Sequence, residues 1–196
     1  MPPETLSALR LRSIIRQNSR SAHRKFGYVH LREIDGKMWA TDLYFCAPAD
    51  RLAPMFAKDG IEIAEGSYRV DGKVQVAPPG ELSTDEPPIA RLLTTEKDLR
   101  IYEKPFSLAG CPVFIHRPSV DDTLVLFRNH LAIRFDHVEM VVGPDWESAL
   151  DHIRFSVDAE NPLSAPVWIY RTELESDDEG ISHFVVTKGA VAPVAV

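Results

Sequence analysis

Cysteine is nearly absent from this sequence: Cys46 and Cys111 are the only two. A single pair cannot build a disulfide scaffold or a zinc ribbon. It fits a reducing compartment, so a cytoplasmic protein is expected. No apolar run approaches the roughly 18 residues that a membrane-spanning helix needs. The first residues hold Arg and Ser but no continuous apolar stretch, so no secretory leader is expected. There is no glycine-rich phosphate loop, no nucleophile elbow and no paired-cysteine motif. These gaps remove the enzyme classes that leave linear signatures. Acid–base carboxylate chemistry stays open, because it needs no fixed spacing.

What is present suffices for a substantial core. The chain has 196 residues, 44% of them apolar and 26% charged, enough for one large domain or two of roughly 100 residues. The net charge is −7, which on average argues against a nucleic-acid partner. The distribution says otherwise. Residues 1–32 carry seven basic groups (Arg10, Arg12, Arg16, Arg20, Arg24, Lys25 and Arg32) against one acid, Glu4. The remainder holds 15 basic and 28 acidic groups, a net of −13. An acidic body with one concentrated basic element points to a polyanion or an acidic partner.

That basic element reads as a helix over residues 6–25. Thr5 is placed to cap it, and neither Gly nor Pro interrupts it. At 100° per residue, Ala8, Leu11, Ile14 and Ile15 share one face. Arg12, Arg16, Arg20 and Arg24 form an i, i+4 row lying mostly opposite. Like charges at that spacing repel by a few tenths of a kcal/mol per pair. A regular arginine row facing away from an apolar seam suits a polyanion, and a solvated face is the plain alternative.

Further along, residues 26–34 and 37–46 read as strands joined at Asp35-Gly36, a strong hairpin signal. Residues 67–70 and 73–76 flank Asp71-Gly72 in a second hairpin. A loop is expected over 48–66, with a short apolar insertion at 52–56, and another over 78–88. Residues 89–93 suit a short helix. Strands are expected at 99–102, 113–116, 131–142, 167–174 and 181–186. A helix is expected at 144–155, with Pro144 in its first turn, and the stretch 121–129 fits either type. The apolar tail at 190–196 suits a sheet edge. A weak repeat at an offset of 141 relates Ser7-Ala8-Leu9 to Ser148-Ala149-Leu150 and Tyr28 to Ile169. It suggests two lobes of one topology, with domains at 1–98 and 99–196. The fold class expected is α+β: two similar lobes, each an antiparallel sheet backed by helices.

Residues 6–45 resemble the opening of a DNA sliding-clamp domain, the polymerase processivity factor. The pattern is a helix, a strand, an Asp-Gly turn and a strand with Ala-Thr-Asp. Here it stands as Ile34-Asp35-Gly36-Lys37-Met38-Trp39-Ala40-Thr41-Asp42. Gly66-Ser67-Tyr68-Arg69-Val70-Asp71-Gly72-Lys73 is similar to the clamp hairpin that follows. Pro87-Pro88-Ile89-Ala90-Arg91-Leu92-Leu93 is placed like the segment leaving a bacterial-type clamp lobe. Gly189-Ala190-Val191-Ala192-Pro193-Val194 looks like terminal sheet strands. The form is divergent and phage- or mobile-element-like: Leu43-Tyr44-Phe45 follows Ala-Thr-Asp where such clamps have small or basic residues. The stretch 144–155 carries Glu147, Asp151, His152 and Arg154 and is not basic.

The resemblance implies a non-enzymatic protein of DNA replication that grips double-stranded DNA by its phosphates without reading bases. Arg10, Arg12, Arg16, Arg20, Arg24 and Lys25 would make the contacts. It also implies a homo-oligomer, since two lobes cannot encircle a duplex, and a DNA polymerase or other replication proteins docked outside. No cofactor, metal or catalytic residue is expected. Two alternatives stay open: a monomeric nucleic-acid-binding accessory or regulatory protein, and a small α+β enzyme or protein-interaction module. His137 and Glu139 would share a strand face as a candidate metal pair, with a plain surface pair as the alternative. Trp39, Trp146 and Trp168 are expected in cores.

Overall fold

The computed structural model describes residues 5–21, 25–78, 89–95, 101–108, 111–117, 122–127, 131–158, 160–176 and 180–194. The fold is α+β with antiparallel sheets, and the chain divides into two compact units, described separately below. The first spans Thr5–Thr95. The sequence boundary expected at 98/99 falls in 96–100, outside the described residues.

The first unit opens with α1 (Ala8–Ser21), followed by β1 (Gly27–Ile34), β2 (Lys37–Thr41) and β3 (Phe45–Pro48). A 3-10 turn over Ala49–Leu52 leads into the short α2 (Ala53–Lys58), then β4 (Gly66–Asp71), β5 (Lys73–Val76) and α3 (Ile89–Thr95). Within this unit the strands pair in the order β5-β4-β1-β2-β3. The Asp35-Gly36 turn has positive φ at both residues, 53° and 71°, as a type I′ hairpin requires. Where a loop was expected at 48–66, the apolar residues Leu52, Met55 and Phe56 instead fold into helical turns and are buried.

Helix α1 is shorter than expected, and its cap is Ser7 rather than Thr5. The Ser7 hydroxyl accepts from the Arg10 N–H at 3.3 Å, the third helical position, which is where an N-cap side chain bonds. The apolar seam forms as its spacing dictates. Leu11, Ile14 and Ile15 are fully buried, each contributing about 2 kcal/mol of hydrophobic stabilisation. The helix packs on β1 at Gly27, where an added Cβ would lie 2.8 Å from Ile15 Cγ2.

The second unit contains β6 (Ile101–Glu103), β7 (Ser107–Leu108), β8 (Cys111–Pro112), β9 (Phe114–Arg117), β10 (Asp122–Leu126) and β11 (Ala132–Arg134). Then come α4 (Phe135–Val142), a 3-10 turn over Leu150–His152, β12 (Ile153–Val157), β13 (Val167–Ser176), β14 (Ser182–Val191) and β15 (Pro193–Val194). One sheet runs β14-β13-β12-β6. Another runs β15-β11-β10-β9, with the tail strand β15 at its edge as the sequence suggests, and β7 pairs with β8. Helix α4 packs against β13 and β14 and against β10 and β11. Buried Phe127, Trp146 and Phe155 join half-buried Phe135 and exposed Phe114 in an aromatic cluster of edge-on or tilted pairs 5.1–6.4 Å apart. Trp39, Trp146 and Trp168 are all buried, as expected.

Two sequence assignments in this unit are corrected. Residues 131–142 are not one long strand. The chain leaves β11 at Arg134 and turns into α4, because Phe135, Val138, Val141 and Val142 recur at helical spacing and Gly143, at φ 97°, ends the turn. Residues 144–155 are not a helix. The Ser148 and Ala149 N–H groups bond three residues back, to Asp145 and Trp146, rather than four. Arg171 clamps the Asp145 carboxylate through two bonds of 2.6 and 2.8 Å, and Ile153, Phe155 and Val157 then alternate inward along β12. Ser148-Ala149-Leu150 therefore lies on no α-helix, and the offset of 141 does not superpose two helices. Tyr28 and Ile169 do both lie in strands, β1 and β13.

Candidate nucleic-acid interface

The orientation of α1 about its own axis is set by polar contacts as much as by its apolar seam. The buried seam continues one turn past Ile15 into Asn18 and Ser19, which are polar. The Ser19 hydroxyl donates to the Phe26 carbonyl at 2.5 Å. The Asn18 side-chain amide donates to Asp42, which in turn accepts from the Tyr44 and Phe45 N–H groups at 2.9 and 3.2 Å. Thr41 completes this turn: its hydroxyl donates to the Phe45 carbonyl at 2.5 Å and accepts from the Leu43 N–H at 3.1 Å. Leu43 itself sits at φ 83°, left-handed backbone that a branched side chain rarely adopts. The Ala-Thr-Asp motif thus has a structural account. Thr41 and Asp42 close the tight β2–β3 connection and fasten α1 to it.

With that seam turned inward, the opposite face of α1 lines a groove of about 320 Å³. Arg12, Ser13, Arg16, Gln17 and Arg20 form one wall, with Leu9 at the end, and Gly72 of the β4–β5 turn lies across from them. Helical geometry spaces the three arginine stems about 6 Å apart along the axis. Their surroundings differ. Arg20 is exposed and has no carboxylate partner among the described residues. Arg16 Nη2 lies 3.9 Å from Asp71 Oδ1, with both side chains about half exposed, a pairing worth roughly 0–1 kcal/mol. Arg12 is held: its Nη2 meets Asp59 Oδ2 at 2.6 Å, with side-chain exposures of only 11% and 10%. The arginines therefore do not form a uniform open row.

Asp59 also accepts the Val74 N–H at 2.6 Å, so one carboxylate joins α1, the end of α2 and the strand β5. Withdrawal from water pushes the Asp59 carboxyl up. The Val74 N–H, the Arg12 bond and the charges of Arg12 and Lys73 outweigh it and hold the carboxyl below its ordinary value.

Arg10 and Lys25, also expected to make contacts, are not among the described residues that line this groove. Arg10 is exposed on the first turn of α1. Lys25 is exposed beyond the helix end, with its Nζ 5.0 Å from the Phe26 ring centroid. Arg24 lies outside the described residues. Sequence reading missed Asp59 and Asp71 as the carboxylates that pair with the groove arginines Arg12 and Arg16. Asp71 was legible only as half of a hairpin signal, and Asp59 carried no signal at all, since only the packing of α2 brings it to Arg12.

The second unit offers no comparable surface on its helix. Helix α4 contains no Lys or Arg and is buried along most of its length. The His137–Glu139 pair is corrected: both lie on α4, about 200° apart around it, and His137 is buried rather than on the surface. No group of three or more metal-ligating side chains occurs among the described residues. Instead, Arg117, Asp122, Arg134 and Asp136 form a largely buried ion-pair network at contacts of 2.5–3.1 Å. Cys46 is buried, and burial pushes its thiol up to about 12, far from reactive thiolate. No helix among the described residues is long and apolar enough to cross a membrane. Set against family models, curated proteins and solved structures, the chain matches none.

Proposed function

We propose that this protein holds double-stranded DNA by its phosphates along the α1 groove, without reading base sequence, as a non-enzymatic tether of the sliding-clamp kind. The observation that carries this is the exposed pair Arg16 and Arg20 on one wall of a groove, directly opposite a buried seam. Guanidinium groups at helical spacing suit a row of phosphates, and Ser13 and Gln17 beside them add uncharged hydrogen-bonding groups. The acidic remainder of the chain, at −13, would keep a duplex confined to this element. The resemblance of residues 6–45 to a clamp lobe supports the same reading. Encircling a duplex then requires more than one copy of the chain.

Fluorescence anisotropy with a short labelled duplex tests the grip. Two to three phosphate contacts should lower affinity about tenfold to fortyfold between 50 and 200 mM salt, following the counterion-release slope of about −0.9 per contact. Arg16→Glu with Arg20→Glu should abolish binding. Duplex affinity indifferent to both salt and charge reversal removes the proposal. Light scattering tests the clamp form separately: a strictly monomeric chain on and off DNA excludes a ring.

A further inference from the structure

The unequal surroundings of the three groove arginines carry one step more, which rests on the DNA-gripping reading above. Arg12 lines the groove, whereas Asp59 does not. The carboxylate meets Arg12 through a single guanidinium nitrogen, Nη2, at 2.6 Å. Arg12 Nε is buried with no hydrogen-bond partner among the described residues, and the two-pronged pairing that arginine prefers with carboxylates is not made. Asp59 is itself anchored from a second direction by the Val74 N–H at 2.6 Å. The carboxylate is therefore fixed in place against strand β5, while the guanidinium it neutralises belongs to a residue that lines the groove.

We propose that Asp59 is a built-in counter-ion that withholds Arg12 from the groove, so that a DNA phosphate recruits Arg12 only by competing with it. Arg16 and Arg20 make the standing contacts and Arg12 is held in reserve. Removing the charge of Asp59 then adds one phosphate contact.

The experiment compares the full-length chain with Asp59→Asn, which keeps an oxygen for the Val74 N–H, by anisotropy on a short labelled duplex across a salt series. Asp59→Asn should bind about eightfold more tightly at 0.1 M salt, and its salt slope should steepen by about 0.9, the increment for one phosphate. Adding Arg12→Ala to Asp59→Asn should abolish that gain. A gain that survives the loss of Arg12 reflects only the removal of a like charge and overturns the proposal. Unchanged or weaker binding by Asp59→Asn, while Arg16→Glu with Arg20→Glu still abolishes binding, overturns the counter-ion and leaves the groove standing. Indifference of both chains to the Arg16 and Arg20 reversals overturns the groove itself. Asp59→Ser, whose hydroxyl also accepts from Val74, serves as the second variant, and thermal unfolding verifies that each chain folds.

Discussion

Asp42→Ala should be among the most damaging single substitutions in the first unit, and its cost can be built from the bonds it removes. Asp42 is buried, and its carboxylate serves three donors: the Asn18 amide and the N–H groups of Tyr44 and Phe45. Alanine fits the space but satisfies none of them. A buried donor left without its partner costs about 1–3 kcal/mol. Tyr44 is partly exposed and can turn to water, so the Phe45 N–H and the Asn18 amide carry most of the loss. Leu43, at φ 83° in the parent fold, adds nothing, because its strain is common to parent and variant unless the turn relaxes. A total of about 3–4 kcal/mol follows. At a urea m-value of about 2 kcal/mol/M, the unfolding midpoint should fall by roughly 1.5–2 M. Asp42→Asn keeps one oxygen for the two backbone donors, and a flipped Asn18 amide can accept from the new side chain, so its cost should be nearer 1 kcal/mol. Equal losses from the two variants, or a loss below about 1 kcal/mol from Asp42→Ala, would refute the account of Thr41 and Asp42 as the fastening of α1.

Gly27→Ala should destabilise by about 1–3 kcal/mol, the usual cost of overpacking, because its Cβ would lie 2.8 Å from Ile15 Cγ2 and 3.2 Å from the Ile15 carbonyl oxygen; a thermal melt within error of the parent would show that α1 can lift off β1 freely. Acid should weaken the fold through His137. Burial first, then the Arg134 charge, lower its pKa well below 6.5, and Asp122 only partly opposes them. The unfolded chain thus takes up a proton near pH 6.5 that the folded chain refuses, so this stability is intact above pH 6.5 and lost as pH falls below it. The loss should reach about 1 kcal/mol by pH 5.5, and in urea titrations it should disappear from the pH slope of His137→Gln, whatever that variant's absolute stability.

The parts of the fold legible in the sequence were those written in short-range chemistry. Asp35-Gly36 specifies its hairpin whatever surrounds it, and the seam of Leu11, Ile14 and Ile15 needs only the helical period. The failures came where two periods overlap or a distant partner decides. Over 131–142, the alternation of Leu131, Ile133 and Phe135 reads as strand, and the helical spacing of Phe135, Val138 and Val142 begins on the same residues. Over 144–155, Pro144 and an apolar stripe suggest a helix. Arg171, 26 residues beyond Asp145, instead captures the first turn from β13. The same limit applies to the groove. Its arginines are visible as a row, but whether each is open depends on Asp59 and Asp71, which lie 47 and 55 positions from their partners.

The two carboxylates nearest α1 divide the work of placing it. Asp42 grips the buried side through Asn18, and Asp59 grips the groove side through Arg12. A helix anchored on both flanks cannot rotate by one residue, about 100°, without pulling Asn18 from Asp42 and swinging an arginine toward the core. Burying an unpaired guanidinium there costs several kcal/mol. The direction in which Arg16 and Arg20 point is therefore fixed before any ligand arrives, and preorganised charge binds a phosphate without first spending free energy on ordering the helix. Neutralising Arg12 through Asp59 thus serves two ends at once: it fixes the register of the helix and holds part of its positive charge back from solvent. A variant that releases Arg12 should therefore gain anion affinity and give up some rotational rigidity of α1.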